Sequence, residues 1–161
     1  LLRTLCGLTL PASGEIRWDG RAIGDDREAF LSRLCYIGHT NALHGDLTGV
    51  ENLAFEGCLA DADADPRAAL TDIGLGRVAS LPSKLLSQGQ KRRTALARLL
   101  ISEKPLWVLD EPLTALDVRS SAALLERFTD HLRQGGLIIL TSHQEVSLTD
   151  WPVLTLGLEA L

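Results

Sequence analysis

Two runs of four consecutive apolar residues, Leu106-Trp107-Val108-Leu109 and Leu137-Ile138-Ile139-Leu140, constrain the fold of this chain more than any other feature. A strand with one wet face alternates apolar and polar side chains, so uninterrupted runs of this length belong to strands covered by helices on both faces. Between them, Val118 to Gln134 puts Leu124, Leu125, Phe128 and Leu132 on one helical face and stops at Gly135-Gly136, a favourable helix end. Strand, helix and strand in that order imply a right-handed crossover in a parallel sheet, and therefore an α/β fold.

The first half is less regular. Pro11 to Gly24 has turn residues at both ends and an Asp19-Gly20 pair, which predicts a tight antiparallel hairpin. Leu34 to Ile37 predicts a strand that delivers His39, Thr40 and Asn41 to a loop. From Thr48 to Leu86, Ala-rich and Leu-rich stretches broken by Asp, Gly and Pro predict several short helices, the first opened by a Thr48 to Glu51 capping box. The acidic run Asp61-Ala62-Asp63-Ala64-Asp65-Pro66 reads as a solvated turn capping the next helix. It lacks the glycine and distal glutamate of a calcium loop.

At 161 residues the chain is one domain. No apolar run reaches the length of a bilayer span, and a net charge of -5 disfavours a surface built to grip a nucleic-acid backbone, so no nucleic acid is expected as a partner. Cys6, Cys35 and Cys58 are odd in number and lie in apolar contexts, as expected of buried reduced thiols. Leu1-Leu2-Arg3-Thr4-Leu5 reads as the inside of a helix without a cap, and methionine is absent from the sequence. The expectation is a chain that lacks its N-terminal part. No export signal is recognisable at the start.

In an open parallel sheet, ligands bind beyond the carboxyl ends of the strands. Both apolar runs end there in residues that can carry chemistry: Asp110 and Glu111 after the first, His143 after the second. A lone strand-end carboxylate such as Asp110 suits Mg2+, which keeps part of its water shell. Glu111 points elsewhere and can polarise an attacking water. As loop acids, both equally fit a plain solvated strand end. Ser87 and Gln90 form a second capping box, S-x-x-Q, ahead of a helical run from Lys91 to Ser102. Gly89 lets an anion approach that helix start, although a well-capped helix accounts for the same residues. Lys91, Arg92, Arg93 and Arg98 read as a solvated basic face. His44 and His131 have no constellation around them and read as surface residues.

LSQGQ, then LWVLDEP, then TALD, then LTSH follow one another in an order that resembles the nucleotide-binding subunits of ABC transporters. The resemblance identifies LSQGQ as the signature motif, LWVLDE as the Walker B strand with its catalytic glutamate, Ala115-Leu116-Asp117 as the D-loop and His143 as the switch histidine. It implies a RecA-like parallel-sheet core of a P-loop NTPase with an inserted helical subdomain. Residues 1–40 and 102–161 would form the core, and residues 41–101 the subdomain with the signature motif.

It also implies ATP and Mg2+ as ligands and a head-to-tail pair with a second copy of the chain. Ser87, Gly89 and Gln90 would then bind the γ-phosphate of ATP held by the other copy. Asp110 and Mg2+, with Glu111 and His143, would act on the copy's own nucleotide, and Asp117 would link the two sites.

Two departures from the family pattern stand out. No GxxxxGK[ST] occurs in the sequence, and residues 1–8 resemble the helix that follows that loop, so this chain alone is expected to bind ATP poorly and to be inactive. His39 and Thr40 stand where the family places the Q-loop glutamine. His39 could touch a magnesium-bound water or a membrane subunit, or be a plain loop histidine.

YIGH, ENLAFEG, LSQGQKRRTALARL, LWVLDEPLTALD and GGLIILTSHQEV look most like the haem-exporter ATPase subunits of bacterial cytochrome c maturation. That implies a peripheral subunit on the cytoplasmic face of the inner membrane, working with the membrane-spanning subunits of that system. The general motifs are shared with ABC ATPases for other substrates and with those acting on nucleic acid or ribosomes.

Overall fold

The computed structural model describes residues 1–60, 64–148 and 150–157, with the side chains of 58–60 set aside. Three parallel strands form its centre: β3 (Leu34–Ile37), β4 (Leu106–Asp110) and β5 (Leu137–Thr141), in the order β3-β4-β5. Leu34 lies beside Leu106 and Leu106 beside Leu137, so Ile37, Leu109 and Leu140 are level near the carboxyl end. A small antiparallel hairpin, β1 (Arg17–Trp18) and β2 (Arg21–Ala22), turns at Asp19 and Gly20, both at positive φ, as the Asp-Gly pair predicts.

Alternation along β4 divides the core. Trp107 and Leu109 pack with Leu124 and Phe128 of α7 (Val118–Arg133). Leu106 and Val108 pack on the opposite face with Leu2 and Cys6, at and just beyond α1 (Leu2–Leu5), and with Phe30 of α2 (Arg27–Ser32). All four apolar side chains of β4 are buried, each contributing roughly 1.5–3 kcal/mol. β5 is covered less than expected: Leu137 is 46% exposed and the remainder of the strand half-buried. Among the described residues β5 has a paired neighbour on one side only, and its first residue lies at that open edge.

A third cluster contains no strand residue. Leu53 of α3 (Gly49–Ala60), Leu70 of α4 (Pro66–Asp72) and Ile101 of α6 (Arg98–Ile101) meet around Leu75, Ala79 and Ala97. The Thr48 capping box forms, with Glu51 N–H donating to Thr48 Oγ1 and Thr48 N–H to Glu51 Oε2. Asp65 caps α4 through Arg67 N–H, while Asp61 to Asp63 of the acidic run lie outside the described residues. Cys6 and Cys35 are free and buried, and burial pushes the Cys6 thiol up to about 11. The burial expected of Cys58 lies outside the described side chains.

His131 is not the surface residue its sequence context predicts. The residue is 9% exposed and its ring stacks on Trp107 at 3.7 Å, nearly parallel, while His44 is exposed as expected. His131 falls three and seven positions after Phe128 and Leu124, on the same buried stripe of α7. A Cβ on Gly136 would run into the ring, so the glycine is what lets the chain pass over it.

Candidate functional site

β4 and β5 end side by side, with Asp110 paired to Thr141, and the chain breaks away from the sheet immediately afterwards. Glu111 sits at φ 50°, a left-handed conformation unfavourable for a residue with a Cβ, and the two neighbouring carboxylates have different partners: Thr141 for Asp110, His143 and Thr114 for Glu111. One hydroxyl holds the turn. Thr141 Oγ1 donates to Asp110 Oδ1 at 2.7 Å and accepts from Glu111 N–H at 3.0 Å.

The Glu111 carboxylate is bound at both oxygens. Oε1 lies 2.8 Å from His143 Nε2, and Oε2 accepts from Thr114 Oγ1 at 3.0 Å. The His143 side chain is 91% exposed and that of Glu111 only 21%, so the pair spans the step from interior to solvent. Glu111, Thr114, Ser142 and His143 line a cleft of about 130 Å³, too small for a whole nucleotide. No cluster of three or more metal-ligating side chains exists among the described residues. One half-buried carboxylate, Asp110, with one oxygen steadied by a hydroxyl, fits an ion that draws its other ligands from water and phosphate.

The second group of candidates lies at the start of α5 (Gln88–Leu96). Ser87 Oγ accepts from Gln90 N–H, and Gln90 Oε1 accepts from Ser87 N–H, closing the expected capping box. Ser87 is exposed and Gly89 and Gln90 half-buried. A Cβ on Gly89 would stand 3.1 Å from the Ala115 carbonyl oxygen, so the α5 tip and the β4–α7 loop are in close contact within one chain. That loop has its own strain at Ala115, φ 64°. It ends at Asp117, whose carboxylate caps α7 by accepting from Ser120 N–H at 2.7 Å. Hydrogen bonds from Ser120 hold that carboxyl below its usual range.

Arg92 departs from the solvated face expected of it. It is 5% exposed, and its guanidinium donates to the carbonyls of Gly38 (2.9 Å), Asp110 (2.6 Å) and Glu111 (2.8 Å) and, at 3.4 Å, to Asn41 Oδ1. Burial pulls its pKa below the usual arginine range, against the opposing charges of Asp110 and Glu111. Arg98 is also occupied, in a half-buried pair with Glu56 at 2.9 Å, while Arg93 reaches the Ile73 carbonyl at 3.4 Å. The basic run therefore ties α5 and α6 to their neighbours.

The structure thus brings Asp110, Glu111 and His143 together, and places Ser87, Gly89 and Gln90 against the loop that carries Asp117. His39 is exposed in the loop after β3, and its side chain makes no hydrogen bond or ion pair among the described residues. Arg92, Asn41 and Thr141 were missed as site residues. The sequence signal for Thr141 was its position, level with Asp110 at the end of the neighbouring strand.

Comparisons with known proteins agree on one family. The family model described as "ABC transporter" matches residues 1–114. The chain is 51% identical over 149 residues to the "Cytochrome c biogenesis ATP-binding export protein CcmA" of Aromatoleum aromaticum, covering 90% of this chain and 70% of that protein. Among solved structures it resembles an ATP-binding subunit of an ABC transporter, at 28% identity and a TM-score of 0.76, covering 88% of this chain and 61% of that one. A dimeric ATP-binding cassette in a post-hydrolysis state, bound to ADP and Pi, has the same fold at 23% identity, with a TM-score of 0.77. That match covers 89% of this chain and 68% of the cassette.

Proposed function

The chain belongs to the ABC transporter family, and from that premise we propose that it is the ATP-binding, ATP-hydrolysing subunit of a transporter that handles haem for c-type cytochrome biogenesis. The observation that carries the hydrolytic part is the convergence at one sheet end: a carboxylate fixed by Thr141, and a second carboxylate 2.8 Å from a histidine. The haem assignment is supported by the 51% identity to a protein named for cytochrome c biogenesis. In this reading residues 1–40 and 102–161 form the catalytic core and residues 41–101 the helical subdomain.

Two copies would pair head to tail, as the dimeric cassette of the same fold suggests. Ser87, Gly89 and Gln90 of one copy face the γ-phosphate of ATP held by the other, where first-turn N–H groups and the α5 dipole favour an anion. Glu111 orients the attacking water and takes its proton as the new bond to phosphorus forms and the bond to the β–γ bridging oxygen breaks. His143 meets the charge developing on the γ-phosphoryl oxygens. Asp110 would hold Mg2+, which supplies neutralisation of the phosphate charge when bound. Asp117, at the loop that touches the α5 tip, links the two sites. His39 lies where a bound water or a membrane subunit could reach it.

No helix among the described residues is long and apolar enough to cross a membrane. The subunit would sit peripherally on the cytoplasmic face of the bacterial inner membrane, docked on the membrane-spanning subunits of the cytochrome c maturation system. Replacing Glu111 by Gln in the intact complex tests the chemistry: ATP stays bound while turnover falls by about 10²-fold or more. Unchanged turnover removes Glu111 from its role. Deleting the gene tests the substrate, since normal holocytochrome levels would reject haem handling.

A further inference from the structure

Arg92 belongs to α5, the helix whose tip carries Ser87, Gly89 and Gln90, yet its guanidinium lies at the end of the sheet. Its direct acceptors are three main-chain carbonyls and one amide oxygen from two separate segments, the loop after β3 (Gly38, Asn41) and the end of β4 with the residue that follows it (Asp110, Glu111). A buried cation is expensive unless its donors are satisfied; both terminal nitrogens of Arg92 find acceptors while its buried Nε has none, so the two segments and the helix are held to one relative position by the two ends of the same group.

The consequence falls on Glu111. Its residue is left-handed, a conformation that persists only where the surroundings impose it. Its N–H is pinned by Thr141, which belongs to the sheet, and its carbonyl by Arg92, which belongs to α5. The backbone from which the Glu111 carboxylate is aimed is therefore held jointly by the sheet and by the helix that carries the serine-glycine tip, while Thr114 and His143 hold the carboxylate itself.

We propose that Arg92 is a positioning residue that makes the aim of Glu111 depend on the seat of α5. This rests on the reading that the α5 tip engages a γ-phosphate held by a second copy. Engagement at the tip seats α5, the seated helix fixes the Glu111 carbonyl through Arg92, and the copy's own hydrolytic site becomes poised only when the opposite site is filled. One buried guanidinium thus makes turnover at the two sites interdependent.

The test is ATP turnover against ATP concentration in the intact complex for wild type, R92Q and R92K. The wild type should show a Hill coefficient above one. R92Q should lower kcat by about ten-fold or more with KM within about two-fold, and bring the Hill coefficient to about one. R92K keeps the charge but lacks the planar fork that spans both segments, so it should recover less than half of the lost kcat. If R92Q does not fold, R92K decides alone: it must show a lowered kcat and a Hill coefficient near one.

A wild-type Hill coefficient of one, R92Q with wild-type kcat and Hill coefficient, or full rescue by lysine each overturns the proposal. A wild-type complex with no ATP turnover would overturn the hydrolytic reading itself, which separates the two failures.

Discussion

The Thr141 hydroxyl donates to Asp110 Oδ1 at 2.7 Å, so a residue on one strand fixes the carboxylate at the end of the next. The same oxygen accepts from Glu111 N–H, and the two acidic residues depend on one side chain for their relative geometry. T141V keeps the shape and removes both bonds. It should lower the unfolding free energy by about 1–3 kcal/mol and raise the Mg2+ concentration needed for half-maximal turnover, while T141S preserves both. Denaturant melts and Mg2+ titration of the turnover rate check this.

Glu111 occupies left-handed backbone with a Cβ in place. E111G and E111A lose the same contacts to Thr114 and His143, but only glycine relieves the conformation. E111G should be more stable than E111A by about 1 kcal/mol, with hydrolysis lost in both. Equal stabilities in denaturant unfolding would show that the turn is not strained.

His131 gives a pH dependence with a definite sign. Burial holds the folded imidazole below its ordinary value of 6.5, against the smaller opposing effect of the Pro105 and Leu137 backbone. As pH falls through 6.5 the unfolded chain takes up a proton that the folded chain refuses. Stability is therefore full above that value and declines below it until the folded imidazole also protonates. H131F, which keeps the stack on Trp107, should flatten the decline in unfolding free energy between pH 7 and 5. A wild-type curve of the same slope would contradict this.

Gly136 and His131 should be energetically coupled, because a methyl at Gly136 would occupy the space of the ring. G136A is expected to cost roughly 1–3 kcal/mol in the wild-type background and much less in H131A. The two costs, measured by denaturant unfolding, would be equal if the contact carried no weight.

Local rules carried much of the fold. The Asp19-Gly20 hairpin, both capping boxes, the α7 stripe and the strand ends at Asp110 and Thr141 each follow from residue types at fixed spacing, which tertiary contacts did not override. What stayed hidden was set by contacts distant in sequence. Arg92 sits among four cationic residues and reads as solvated until α5 is laid against the ends of β3 and β4, which are 54 and 18 residues away through Gly38 and Asp110. The half-exposed β5 was likewise invisible, because an apolar run does not record whether it has neighbours on both edges. His131 was legible in principle, from its place on the Leu124-Phe128 stripe, but a histidine in an exposed-looking context lacks the weight of a leucine.

In the proposed pair of copies, Asp110, Glu111 and His143 serve one nucleotide while Ser87, Gly89 and Gln90 serve another. A structure of the E111Q complex with ATP and Mg2+ measures this directly. The expected result is a γ-phosphate within about 3 Å of Ser87 Oγ or Gly89 N of one copy and beside Asp110 and His143 of the other. A nucleotide touching Ser87 and Asp110 of the same copy, or one that leaves Ser87 without any phosphate contact, would contradict it.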